Sequence, residues 1–498
     1  MNRRDRKIKK IWLLLIAFII MSLGAFFGVQ FLTKTGLFRV PGVVYYDDSL
    51  NSDELSLLGD IFTTEIDLDK DVKISAQNTL QLDSLQNNEF LYDVYVPVTD
   101  FYNTDTNIAV TSVEEIFDSN FQSTHNFELI PVSSLDFSKK LLAINDHYYL
   151  DNFDTGAVYR TMRFDSEKYR EEIAPLVESS FAKEFPSFQN VLTFAQTGVT
   201  AMSRGMNKRL NEVGGDATYF AKEIGEFLSS FDITHTSNES SFTDYASSSN
   251  ICSDKRFIDT LLTIGLDVVE LTGNHNQDCG DTAALETIDV YNTNNIKIVG
   301  GGKTATEAAL PLEISEKHNN ITMLAFNQST GGATLDDTPG ANQYVEATAK
   351  EQIQTAKARG DLIIVDVQYY ECSAYASEYE DPTCDRADSA AYDQVGFFRH
   401  LIDLGADIVV GTSAHQAQTY ELYGDGVIYY GLGNLFFDQI WWPGTTRSLI
   451  LAHYIYNGKL LQTKLLGTVY NKDMQTKLLD DNTLKWWLER LIKVRPAN

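Results

Sequence analysis

From residue 188 onward, short apolar runs alternate with longer stretches of helical spacing. NVLTFAQTGV, ITHTSNES, LDVVELTGNHN, IKIVGG, ITMLAF, DLIIVDVQYY, DIVVGTSAH and VIYYGLGNLFF read as strands. Continuous apolar runs such as LIIVDV suit strands covered on both faces. DATYFAKEIGEFLSSF, AALETIDVYNTN and SAAYDQVGFFRHLIDLG carry the helical pattern between them. This alternation predicts an α/β domain over 188–470. DNTLKWWLERLIKV, within 471–498, predicts a closing helix that docks by its apolar side. Ahead of it, FLYDVYVPVTDFY, KKLLAINDHYYL and AVYRTMRF read as strands, and SVEEIFDSNF and SEKYREEIAPLVESSFAKEF as helices. They predict a smaller α/β domain over 34–187, with a boundary near Pro186.

Nearly every strand after that boundary ends in a polar cluster: TGVTAMSRG, THTSNES, TGNHNQD, VQYYEC, GTSAHQAQ and LGNLFFDQ. Ligands of open α/β sheets bind outside the carboxyl ends of the strands, so these clusters predict a shared cleft. By contrast, Asp146-His147 in AINDHYYL reads as a surface turn.

The N-terminal pattern is different. MNRRDRKIKK is basic, and Ile11 to Leu32 carries no charge. As a helix that run reaches roughly 33 Å, against a bilayer core of about 30 Å. It predicts a cytoplasmic tail over 1–10, a single-pass signal anchor over 11–33 and an outward-facing remainder. The rival is a cleaved signal peptide, whose apolar region is normally shorter, about 7–15 residues.

The chain of 498 residues has a net charge of −29, and removing the basic leader leaves the remainder more acidic still. Such a surface excludes direct nucleic-acid binding. It also disfavours non-specific adhesion to a polyanion unless divalent cations bridge the two. The four cysteines fall outside the membrane, where disulfides persist. Cys252–Cys279 and Cys372–Cys384 are the expected pairs, although four cysteines allow three connectivities.

TGNHNQDCG, GADIVVGTSAHQAQ and YGLGNLFFDQ together resemble the bacterial CapA-type family of capsule and poly-γ-glutamate synthesis proteins. The resemblance runs from about Val191 to Asp438. It implies a calcineurin-like metallophosphatase fold, an αββα sandwich of two mixed sheets, in a membrane-anchored protein facing outward. In that fold, Asp, Asn and His side chains at strand ends hold two metal ions that activate a water. Carried over by position, Glu239, Asn274 and His415 are the metal ligands, His275 and His415 the catalytic pair. Arg204 occupies a place where the family also has Arg.

Three departures change that chemistry. Gly198-Val199 stands where the family has Gly-Asp, Gln368-Tyr369-Tyr370 where it has His-Trp-Gly, and Ser413 where it has the first His of a His-Pro-His strand end. Val offers no donor, and Gln and Ser are weak ones. The remaining set suits one weakly held divalent ion, Mn, Zn or Mg, rather than two. Arg204, Asn238, Gln368, Ser413, Gln418 and Asn434 are the expected substrate-binding residues; Gln368, Gln416 and Gln418 read equally as amide readers of a polar polymer or as ordinary network residues. His235 is only a marginal candidate for the rim, Asn434 and Asp438 fall beneath the site, and Trp441-Trp442 beyond it read as a loop anchored in the core or, alternatively, as a stacking platform for a sugar ring.

Two function classes follow. In one, a membrane-anchored surface protein of capsule or poly-γ-glutamate synthesis binds an anionic or glycan polymer, or a partner in the synthesis complex, in a modified metallophosphatase cleft. In the other, a metal-dependent hydrolase or transferase acts on a phosphoester, polyglutamate or a wall polymer. Position 199 separates them, because the enzyme reading expects Asp there.

Overall fold

A computed structural model describes residues 44–46, 48–64, 72–82, 89–165, 175, 185–187, 189–328, 331–334, 337–369, 393–441 and 443–496. The expected tail and anchor over 1–33 and the Cys372–Cys384 pair lie outside these residues. Among the described residues no helix is long and apolar enough to cross a membrane.

The chain divides into two compact units, Met1–Tyr95 with Val158–Glu184, and Val96–Ala157 with Phe185–Asn498. In the smaller unit, strands Val44–Tyr46 and Val72–Gln81 pair in parallel. A second, antiparallel pairing runs from Glu89↔Arg163 to Tyr95↔Val158. There the Arg160 guanidinium sits 2.6 Å from the buried Glu54 carboxylate.

This division departs from the boundary expected at 187, since residues 96–157 lie in the larger unit. Two side chains stitch backbone segments far apart in sequence, Gln462 and Tyr102. Gln462 Oε1 accepts from the Leu141 backbone N–H at 2.9 Å, and Gln462 Nε2 donates to the carbonyls of Asp136 and Lys139. Tyr102 Oη accepts from the Leu422 N–H at 3.0 Å.

The larger unit holds two mixed sheets. Strands β1 (Leu192–Ala201), β2 (Ile233–Asn238), β3 (Val268–Glu270) and β4 (Lys297–Val299) run parallel as neighbours. The chain then builds a six-stranded sheet from β5 (Leu312–Glu316), β6 (Asn319–Gln328), β7 (Leu362–Tyr369), β8 (Ile408–Gly411), β9 (Tyr420–Tyr423) and β10 (Gly426–Tyr429), ordered β5-β6-β7-β8-β10-β9. It returns to the first sheet with β11 (Asn434–Phe437), parallel to β1, then β12 (Arg447–Tyr456), β13 (Lys459–Tyr470) and β14 (Thr476–Leu478), antiparallel in turn.

Side-chain alternation turns these sheets into a sandwich. Leu362 and Ile364 of β7 pack between the sheets with Leu192, Phe194, Leu449 and Leu451. Their neighbours Ile363 and Val365 face outward onto helices Glu346–Arg359 and Gln394–Leu404. Val269 and Ile450 likewise cover the outer face of the first sheet, against Leu261, Ile288 and Tyr291. The layering is therefore helix, sheet, sheet, helix, as expected.

The stretch expected to form one amphipathic helix is instead a 3-10 turn over Ala217–Ala221 followed by the short helix Gly225–Leu228. At Gly225 the second helix comes close to Thr263: a Cβ there would lie 3.0 Å from the Thr263 carbonyl oxygen. The closing helix forms over Asp481–Lys493, capped by the Asp480 side chain on Thr483 N–H. Its Leu484, Trp487, Leu488 and Leu491 complete the inter-sheet core.

Candidate functional site

Strands β1, β2, β7 and β8 end at one margin, and β11 begins there. Val199 pairs with Ser237 on one side and Asn434 on the other, which aligns the strand-end clusters across the sheet. Asn434 Oδ1 lies 2.9 Å from His415 Nδ1, while its Nδ2 donates to the Thr445 carbonyl. An amide oxygen only accepts, so Nδ1 carries the ring hydrogen and the lone pair sits on Nε2. That nitrogen lies 3.7 Å from Glu239 Oε2, and both residues are buried. Burial pushes the His415 imidazole down to about 4, with His275 and Arg204 adding to the effect against the Asn434 hydrogen bond. His415 is neutral at physiological pH.

A second contact joins the two sheets. Gln368 Nε2 donates to Asn274 Oδ1 at 3.0 Å. Gln368 Oε1 and both amide atoms of Gln416 are buried without a hydrogen-bond partner. His275 Nδ1 is 2.8 Å from Asp278 Oδ2, and its side chain is partly exposed. Arg204 closes the other flank: its guanidinium holds Asp438 at 2.5 Å and lies over the Phe437 ring, which packs against His415. Asp438 also accepts from the Gly205 N–H at 2.8 Å. Trp441, largely exposed, lies on the far side of Arg204 at 5.9 Å. Trp442 is outside the described residues.

The margin thus gathers Glu239, Asn274, Gln368, His415, Asn434 and Arg204. Three expected residues are employed elsewhere. Asn238 folds back on Ser240, because its outward register places it on the helix side of β2. Ser413 Oγ accepts from Tyr369 N–H and donates to Tyr369 carbonyl, clamping β7 to the turn after β8. Gln418 accepts from Gln394 on the helix layer at 3.3 Å. His235 does not reach the rim. It is fully buried, with Nε2 3.0 Å from Asp366 Oδ2.

His235 belongs to a buried polar band that sequence reading missed. Gln196, His235, Glu270, Asp366 and His453 continue the inward-facing series of their strands below the margin. Gln196 bridges Asp366, at 2.5 Å, and His453, at 3.2 Å. Burial, reinforced by Asp366, pushes the Glu270 carboxyl up to about 8. Burial pushes His453 down to about 3. The signal was available: Glu270 in DVVEL and Asp366 in IIVDV are acids inside apolar runs, which buried strands hold only when the acids are neutralised or paired.

The donors at the margin fall short of the metal chemistry the resemblance implies. Among the described residues no three His, Cys, Asp or Glu side chains gather in a metal-holding array. Val199 is fully buried and contributes nothing to a cation. The set fits no two-ion centre. The lone pair of His415 Nε2 and the Glu239 carboxylate, facing across 3.7 Å, fit one ion or one proton donor between them.

Cys252 and Cys279 form a disulfide, as expected, across the strand and turn that deliver Asn274 and His275.

Residues 193–439 match the family described as bacterial capsule synthesis protein PGA_cap. The capsule biosynthesis protein CapA of Bacillus anthracis is 23% identical over 281 residues, 54% of this chain and 65% of that protein. The PGA biosynthesis protein CapA of Bacillus subtilis is 29% identical over 209 residues, 41% of this chain and 51% of that protein. The chain therefore spans between half and two thirds of the length of these relatives. Among solved structures, a hypothetical protein of Thermus thermophilus aligns with a TM-score of 0.32 and 12% identity, covering 55% of this chain and 98% of that one.

Proposed function

This chain belongs, through residues 193–439, to the bacterial capsule synthesis family PGA_cap, and from that premise we propose that it serves the production of a capsule or poly-γ-glutamate polymer by binding polymer or a synthesis partner at the strand-end margin. The observation that carries this reading is the amide lining. Gln368 Oε1 and the Gln416 amide are buried without partners, next to Asn274 and His415. Leaving such atoms unsatisfied costs about 1–3 kcal/mol each; they are closed to solvent, so a polymer's amide or hydroxyl groups would recover that cost through a side-chain shift that opens the amides to the margin. Arg204, fixed by Asp438, supplies a cation for an anionic group.

One divalent ion would be held by Glu239 and His415, with the Asn274 amide beside them. When bound, it would screen polymer carboxylates from this acidic protein or polarise a bond. Asn434 keeps His415 in the tautomer that receives it. The basic leader, the uncharged run over 11–33 and the Cys252–Cys279 disulfide support a single-pass anchor with the folded units outside the cell.

The test uses cells in which the chromosomal gene carries Gln416→Ala, Gln368→Ala or both, with surface polymer quantified. Loss of polymer at unchanged protein level supports the reading. Unchanged polymer in the double variant overturns it. Manganese-dependent release of phosphate from a phosphoester by the purified full chain, abolished in His275→Ala, would favour the hydrolase class instead.

A further inference from the structure

A cavity of about 350 Å³ lies in the larger unit, lined by none of the margin residues. One part of its wall is apolar, built from Phe137, Tyr420, Tyr429, Leu465, Leu484 and Leu488, and charged side chains of both signs line the rest. Its volume falls in the range of small-molecule sites, about 300–1,000 Å³. Lys140 also lines it.

The Lys140 ammonium donates to the Asn103 carbonyl at 2.7 Å, its one hydrogen bond among the described residues. An ammonium has three donors. No carboxylate among the described residues lies within ion-pair distance of Lys140, and the nearby acids are engaged. Asp105 pairs with Lys485 at 2.5 Å, and Asp151 with Lys464 at 2.7 Å. Asp146 accepts from Asn107 at 2.6 Å. Lys139, the adjacent cation, is paired with Glu128 at 3.1 Å, and Asp481 sits in the first turn of the closing helix. Burial pushes the Lys140 amine down to about 8, with Lys485 adding to it and Asp105 opposing.

We propose that this cavity binds an amphipathic monocarboxylate, its chain against the leucine and tyrosine wall and its carboxylate on the Lys140 ammonium. Burying the chain's methylenes against the apolar wall favours binding, and the carboxylate supplies a counter-charge to the half-buried Lys140 ammonium. A neutral apolar molecule would leave the ammonium as it stands. A dianionic polymer segment would meet, beyond Lys140, the lining cations Lys139 and Lys464, each already paired with a carboxylate, at 3.1 and 2.7 Å.

The probes are octanoate and 1-octanol, titrated calorimetrically into the full chain in lipid discs against empty discs. Octanoate is expected to bind saturably, one per chain. Lys140→Met should weaken octanoate at least tenfold and leave octanol unchanged. Leu488→Trp, which fills the cavity, should abolish both. In the wild-type protein, octanoate affinity should fall as pH rises above about 8 while octanol stays flat, an arm that stands if Lys140→Met does not fold. Non-saturable octanoate uptake, identical responses of the two probes to pH, or octanoate binding that survives Leu488→Trp overturns the proposal.

Discussion

His415 Nε2 faces Glu239 Oε2 across 3.7 Å, brought there from strands of different sheets. The distance exceeds a direct hydrogen bond, about 2.7–3.2 Å, and suits a shared third atom. Manganese titrated into the full chain should occupy at most one weak site. Glu239→Gln should eliminate it. Two tightly held ions per chain, by metal analysis after dialysis, would contradict the assigned donor set.

Val199 occupies the strand-end position between Ser237 and Asn434. Val199→Asp buries a carboxylate where apolar side chain stood, and should lower stability by about 2–4 kcal/mol in urea unfolding. Manganese should restore part of that loss, because the new carboxylate joins Glu239 and His415. No manganese effect on the variant's midpoint would show that the margin no longer forms an ion cradle.

Asp438 accepts from both the Arg204 side chain and the Gly205 backbone. Asp438→Asn should cost about 2 kcal/mol, less than a fully buried pair because Arg204 is a quarter exposed. It should also release Arg204 from the Phe437 ring. A midpoint within about 0.5 kcal/mol of wild type would show that the pair does not fix this flank.

Glu270 has its carboxyl raised to about 8 by burial and then by Asp366. The native state therefore binds a proton that the unfolded chain releases near pH 4.5. The resulting stability is complete below that value and is lost as pH rises through 8. Glu270→Gln should leave stability nearly unchanged at pH 5 and raise it relative to wild type at pH 8.5. Thermal midpoints at the two pH values check this; equal differences at both would place Glu270 ionised in the fold.

What could be read from the sequence was whatever depends on neighbours in the chain. Alternating and continuous apolar runs identified the strands, and TGNHNQD, GTSAHQAQ and LGNLFFDQ marked their polar ends, because period and polarity are local properties. Cys252 and Cys279 were paired correctly for the same reason: they flank one strand-turn unit. Tertiary structure decided everything that depends on which face a side chain takes and what lies opposite. Asn238, Ser413 and Gln418 sit in polar clusters yet turn to backbone or helix, whereas Gln416 stays unsatisfied at the margin. Gln462 captured residues 96–157 from hundreds of positions away, and Asp366 found His235 across the sandwich. Such partners are chosen by the packing of two sheets, and no stretch of the chain carries that register by itself.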